Sequence, residues 1–232
     1  MTDKEYLDRF STIEIYAEIL LGILRYTDVG TYQDETQYKI KLTKKLKFEK
    51  ITDFELFRAC IDLLEDTQFA IKEIYEFGLE TKSNSRGEKY LRLYGALNAT
   101  YLQLGAILDL IRLFNIPNQK EIKSRLKSLK IIEIRNKIGS HTTNYSIPNT
   151  ERETNFFKIA QTSIHGMGKN LLIVGKNDHE KIDLIINIKQ FTKEIESILE
   201  VIISKELYSR AFNSECFEWL KYRHDYIKKY RN

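Results

Sequence analysis

Proline is almost missing from this chain, with two in 232 residues, and glycine is sparse, with ten. Proline breaks helices and glycine supplies the tight turns of β-rich folds, so this scarcity excludes a turn-dense β-sandwich and permits long uninterrupted helices. Cysteine is as scarce. Cys60 and Cys216 stand apart among apolar neighbours, with no C-x-x-C pair and no Cys/His cluster at zinc spacing, which predicts two buried structural thiols and no metal site. No apolar run approaches the roughly 20 residues of a membrane helix, and the first five residues are polar and acidic, not the apolar core of a signal peptide. The expectation is a cytosolic protein with no membrane partner. No charge of one sign dominates either: 37 basic residues against 33 acidic leave a net charge of +4, which tolerates an RNA partner without requiring one. Nucleic-acid binding then depends on a local basic patch.

What the chain does contain is helical periodicity. Apolar residues recur at three and four positions over 3–25 (Phe10, Ile13, Ala17, Leu20, Leu24), and a T-x-x-E capping box at Thr52 and Glu55 opens a second helix running to about residue 79. The loop T-K-S-N-S-R-G then breaks the pattern. A third helix over 88–114 is apolar on nearly every side and is expected to sit inside the fold, with Asn98 and Gln103 needing partners there. Pro117 and Asn118 punctuate before a fourth helix over 119–138. From 156 to 175 the composition turns to β-forming residues around H-G-M-G-K-N, predicting a small two-stranded hairpin. Gly166 and Gly168 do not make a phosphate loop, since no G-K-S/T follows. A last long helix is expected over 180–212 and a short basic one over 214–229. The reading is a mainly all-α single domain over 1–232, with its core in 52–141 and 180–212, the hairpin as an elaboration, and no cofactor.

The richest stretch is E-I-R-N-K-I-G-S-H, residues 133–141. An arginine clamps phosphate and a histidine moves protons near neutral pH, so Arg135 and His141 suit cleavage of a phosphodiester. In a straight helix six residues subtend about 600°, which would leave the two side chains about 120° apart. Gly139 and Ser140 are expected to end the helix and let His141 swing back beside Arg135. The competing reading is structural: Arg135 pairs with Glu133 or another acid, and His141 caps the helix C-terminus.

This segment resembles the R-x(4-6)-H motif of HEPN domains, small α-helical proteins that include metal-independent ribonucleases and inactive relatives. Arg135 and His141 match the motif, and Asn136 matches the polar residue that commonly follows its arginine. The resemblance implies an up-and-down helical bundle and a homodimer that brings two motifs together across a two-fold axis. It further implies an endoribonuclease, toxin or defence effector, with an antitoxin or regulatory protein as partner. His141 would help activate the ribose 2′-OH or protonate the leaving oxygen, Arg135 would hold the phosphate, and Asn136 would orient the site. The alternatives are a non-catalytic module of the same fold that binds nucleotide or RNA, and a helical protein-interaction subunit. The chain departs from the HEPN toxins paired with nucleotidyltransferase antitoxins, whose motif has four intervening residues and a tyrosine two places after the histidine. Here five residues intervene and the nearest downstream tyrosine is Tyr145, so modification of that tyrosine is not carried over.

Two further clusters are candidates for RNA contact. Lys44, Lys45 and Lys47 lie in the densest basic segment, 38–50, which reads as a phosphate-tracking surface or a solvated face. In the tail, Arg223, Lys228 and Lys229 interleave with Tyr222, Tyr226 and Tyr230 around His224, a composition able to contact phosphate and stack bases.

Overall fold

The computed structural model describes residues 2–80, 85–140, 156–176 and 178–231. The loop expected at 81–84, and the segment 141–155 with His141 and Tyr145, lie outside the described residues. Among those described, the fold is mainly α, with nine α-helices and one three-stranded antiparallel sheet. The helices are α1 (Asp3–Leu7), α2 (Thr12–Tyr26), α3 (Glu35–Leu46), α4 (Thr52–Phe77), α5 (Arg86–Leu113), α6 (Gln119–Lys127), α7 (Lys130–Arg135), α8 (Leu184–Ser209) and α9 (Ser214–Tyr230). The strands are β1 (Lys158–Ile159), β2 (Leu171–Val174) and β3 (His179–Ile182).

Several boundaries differ from the sequence expectation for identifiable reasons. The helix expected over 3–25 is two, because Ser11 starts a new one: its hydroxyl accepts from Glu14 N–H, while Glu14 Oε2 accepts from Ser11 N–H at 2.7 Å. The helix expected over 119–138 breaks at Ser128, whose hydroxyl donates back to Arg125 O at 2.8 Å, and Leu129 is extended at ψ 137°. At the start of α4, Glu55 pairs with Lys39 at 2.6 Å and Asp53 Oδ2 accepts from Lys50 N–H, so Thr52 is the first helical residue and not its cap. The predicted hairpin is a three-stranded sheet in the order β1-β2-β3, with Leu171 opposite Ile182 and Ile159 opposite Ile173. Its third strand occupies residues expected to open the last helix, which therefore begins at Leu184.

The chain forms two compact units. The first comprises Met1–Gln68, Gly105–Gln119 and Ile195–Asn232; the second comprises Phe69–Leu104 and Lys120–Glu194. In the first, α9 packs on α2 so closely that a Cβ on Gly22 would lie 2.6 Å from Leu220 and 3.1 Å from Trp219. Polar ties fix the same helix: Arg223 Nε donates to Glu18 at 3.0 Å, Tyr226 donates to Asp8, and Arg231 donates to Phe10 O at 3.0 Å. Phe48, Phe57 and Phe114 meet edge to face, with ring centroids 5.1–5.7 Å apart, and anchor the core beside buried Cys60. Cys216, expected to be buried, is only half-buried.

In the second unit the end of α4 meets the turn before β2. Gly78 has φ +60°, Leu79 N–H donates to Gly166 O at 2.8 Å, and Arg92 caps the helix by donating to Gly78 O and Glu73 O. A Cβ on Gly78 would stand 2.6 Å from Gly166 O and 2.8 Å from the Met167 backbone. Gly78→Ala therefore combines left-handed strain with a backbone clash, and it is expected to lower stability by about 2 kcal/mol in urea unfolding. An unchanged midpoint would mean that this joint yields freely.

Helix α5 departs most from expectation. Leu93, Ala96, Leu97, Gln103 and Leu104 are buried as predicted, but Leu91 is 74% exposed and Tyr94, Tyr101 and Leu102 about 41–43%. Asn98 lies on that open face too. On a helical wheel the open face has two edges: Tyr90, Tyr94 and Tyr101 cluster within about 40°, and Leu91, Asn98 and Leu102 lie roughly 80° further round.

Candidate functional site

Helix α7 is built around Ile131, Ile132 and Ile134, which are buried, so the intervening Glu133 and Arg135 are turned to its polar side. Glu133 belongs to a closed ionic cluster: Lys130 pairs with it at 2.9 Å and with Glu180 at 2.5 Å, and Lys137 pairs with it at 2.5 Å and with Glu180 at 3.4 Å. Burial alone would push the Glu133 carboxyl up, but the hydrogen bonds from Lys137 and Lys130 outweigh it and hold it below the usual range. Both its oxygens are thus engaged by lysine. Glu180 sits on β3, so the cluster ties the motif helix to the sheet.

Arg135 is consequently not paired with Glu133, the partner that the structural reading of the sequence assigned it. Its guanidinium lies over the Tyr101 ring, 3.8 Å from the centroid, and its Nη1 donates to Asn136 Oδ1 at 3.2 Å. Among the described residues it makes no ion pair. Stacking on an aromatic face fixes the plane of the fork while leaving Nε and Nη2 available to an anion. Asn136 accordingly orients Arg135 directly.

Beyond Arg135 the chain does not stop at Gly139. Residues Asn136–Ser140 form a π-helical turn, and Gly139 is absent from the left-handed backbone region where a stopping glycine is found. The wider i→i+5 turn changes the phase of the helix, so the offset of about 120° for a straight helix does not extend past Asn136. Such turns occur chiefly as single insertions and often at functional sites. His141 follows this turn but lies outside the described residues.

The other candidates fall in the first unit. Lys44, Lys45 and Lys47 are exposed and make no ion pair among the described residues, whereas Lys39 is held by Glu35 and Glu55, and Lys41 donates to Thr31 O. Lys45 and Lys47 border a cleft of about 1160 Å³ whose floor is structural: Lys205 donates to Phe114 O, and Arg210 to Lys45 O and Leu46 O, satisfying two helix C-termini. In the tail, Arg223 is 12% exposed, paired with Glu18 and stacked 3.4 Å from the Trp219 ring, so it is occupied inside the fold. Lys228 reaches Glu200 at 3.4 Å, and Lys229 lies over the Tyr230 ring at 5.0 Å.

His224, which the sequence grouped with the basic tail, is fully buried. Its Nε2 lies 2.9 Å from Glu200 Oε2 and its Nδ1 3.4 Å from the Tyr208 hydroxyl. Glu200 also accepts from Tyr16 at 2.9 Å and Ser204 at 2.8 Å. Burial pushes the Glu200 carboxyl up, yet the hydrogen bonds from His224, Ser204 and Tyr16 pull it down to about 2. Burial, with the adjacent Glu200 charge, raises Tyr16. The donors and the acceptor satisfy one another, so this cluster reads as a polar lock joining α2, α8 and α9. A sequence signal existed: Leu220, His224 and Ile227 share one helical stripe, which places the histidine with core residues.

Among the described residues no group of three His, Cys, Asp or Glu is placed to hold a metal ion, and no helix is long and apolar enough to cross a membrane. Comparison of the chain with protein-family models, curated proteins and solved structures returned no match in any of the three.

Proposed function

We propose that this protein is a metal-independent endoribonuclease of HEPN type, with Arg135 holding the phosphate, Asn136 aligning Arg135, and His141 transferring protons at the ribose 2′-OH or the leaving 5′-oxygen. The observation that carries this reading is the state of Arg135. A guanidinium shelved on Tyr101, oriented by Asn136 and free of acidic partners among the described residues is arranged to receive an anion. The π-helical turn that follows Arg135 ends at Ser140, the residue before His141 in the sequence.

In the reaction the 2′-oxygen attacks the adjacent phosphorus as its proton passes to a base, the bond to the 5′-oxygen breaks, and that oxygen receives a proton. The products are a 2′,3′-cyclic phosphate and a 5′-hydroxyl. Arg135 stabilises charge that grows on the phosphoryl oxygens, a task its two unused donors suit. A homodimer completes the reading. Leu91, Asn98 and Leu102 form an exposed edge on α5 beside the tyrosine edge that meets Arg135, and a second copy packed there across a two-fold axis would bring the two motifs onto one RNA-binding face. A toxin or defence setting, with an antitoxin or regulatory partner, accords with the same resemblance.

The test is a substrate carrying a single 2′-deoxyribose. Cleavage should disappear at the modified linkage and continue at the unmodified ones. Cutting on the 3′ side of the deoxyribose would mean that the 2′-oxygen is not the nucleophile.

A further inference from the structure

The second unit holds a cavity of about 650 Å³, inside the usual range of about 300–1,000 Å³ for small-ligand sites. Tyr90 and Tyr94 form one wall, with ring centroids 5.8 Å apart and planes tilted by 39°. Phe157, Ile138 and Val174 supply apolar walls, and Lys158 and Gln161 bring polar groups to the rim. Lys158 is exposed and makes no ion pair among the described residues, whereas Lys137, 4.9 Å from the Phe157 ring, is held by Glu133 and Glu180. The Gln161 oxygen accepts from Arg86 at 3.4 Å.

The cavity and Arg135 both use the tyrosine edge of α5. Ile138, which lines the cavity, lies three residues after Arg135, and Tyr94 and Tyr101 share the tyrosine edge of α5, two turns or about 10 Å apart. A phosphate held by Arg135 would therefore sit a nucleotide or two from the aromatic wall. Planar rings lining an apolar cavity with amide and ammonium groups at its rim match a nucleobase: the face stacks and the edge hydrogen-bonds.

We propose that this cavity is a base-binding subsite that receives one unpaired nucleobase of a single-stranded RNA whose neighbouring phosphate lies on Arg135. The inference rests on Arg135 being the phosphate-holding residue. It adds the substrate class, because a base stacked in an A-form duplex is not available to an aromatic pocket whereas a loop or single strand can splay one out.

The experiment measures equilibrium binding of a fluorescein-labelled single-stranded oligoribonucleotide, and of the same sequence annealed to its complement, over a series of salt concentrations. Wild-type protein should bind the single strand at least about 10-fold more tightly. Tyr94→Ala should weaken that binding by roughly 10-fold or more while leaving the slope of log affinity against log salt unchanged, since no charge is lost. Tyr94→Phe, which keeps the ring, should bind as wild type does, and Lys158→Ala should lower the slope by about 1. Equal binding of strand and duplex, or wild-type affinity in both Tyr94→Ala and Tyr90→Ala, overturns the subsite, as does a wild-type protein that binds neither RNA. Strand-selective, Tyr94-dependent binding without cleavage by the wild type would uphold the subsite and remove the ribonuclease reading.

Discussion

Replacing Arg135 with alanine is expected to lower kcat/KM for RNA cleavage by about 10²–10³-fold while the protein remains folded. The two halves of this expectation have separate grounds. Loss of rate follows from removing a stacked guanidinium whose donors face no acid among the described residues, and charge-assisted contacts to a phosphoryl group in a transition state are among the strongest an enzyme makes. Retention of the fold follows because Arg135 is half-buried and its contacts are a ring stack and one hydrogen bond to the adjacent side chain, while the neighbouring Lys130, Glu133, Lys137 and Glu180 cluster remains intact. Arg135→Lys keeps the charge but loses the planar stack on Tyr101 and the paired donors, so it should recover only part of the rate. Circular dichroism would check the fold and initial-rate kinetics the activity. Wild-type kcat/KM in Arg135→Ala would reassign the residue to a surface stack.

A second large effect is expected at Glu200. Removing its carboxylate in Glu200→Ala strands the buried His224, along with the Tyr16 and Ser204 hydroxyls, and should cost about 3 kcal/mol of stability. The same lock makes stability depend on pH. Because the folded carboxyl titrates near 2 and an unfolded glutamate near 4.5, its contribution is fully present above about pH 4.5 and is lost as pH falls toward 2. Glu200→Gln lacks the titrating group, so urea unfolding of wild type and variant from pH 6 to 2 should show a stability gap that closes toward the acid end. A gap independent of pH would show that the charge on Glu200 contributes little to the lock.

These expectations draw on features that were unequally visible in the amino-acid order. Helices α5 and α9 were legible to within two residues, because their apolar periodicity runs unbroken between clear punctuation. The break before α2 was written in the chain as S-x-x-E at Ser11 and Glu14, a local signal overshadowed by the apolar residues on either side. Strand β3 was hidden for another reason: His179–Ile182 is only four residues long and runs directly into the apolar start of α8, so helical periodicity absorbed it. For α5 the obstacle was the opposite. With apolar residues all round, nothing in the sequence distinguishes the covered face from the open one, and only tertiary packing decides that Leu97 is buried and Leu91 is not.

The candidate site shows the same division. Arg135 and Asn136 stand together in the sequence and their mutual hydrogen bond is local, so their pairing could be anticipated. The shelf under Arg135 could not, since Tyr101 is 34 positions away and meets it only once α5 and α7 are in place. The π-helical turn was equally invisible, because no residue type marks an i→i+5 bond as Gly marks a left-handed stop. For the tail, composition suggested a surface, but Arg223 and His224 are drawn inward by acids on other helices, Glu18 and Glu200. Charge content alone does not reveal which cations are already paired.

The central claim is that Arg135 and His141 cut RNA without a metal ion. Its most direct test is to incubate wild-type protein and His141→Ala with a single-stranded RNA in excess EDTA and to identify the ends of the fragments. The wild type should cleave, leaving 2′,3′-cyclic phosphate and 5′-hydroxyl ends, and His141→Ala should not. Cleavage that requires an added divalent metal, or that proceeds undiminished in His141→Ala, would contradict it.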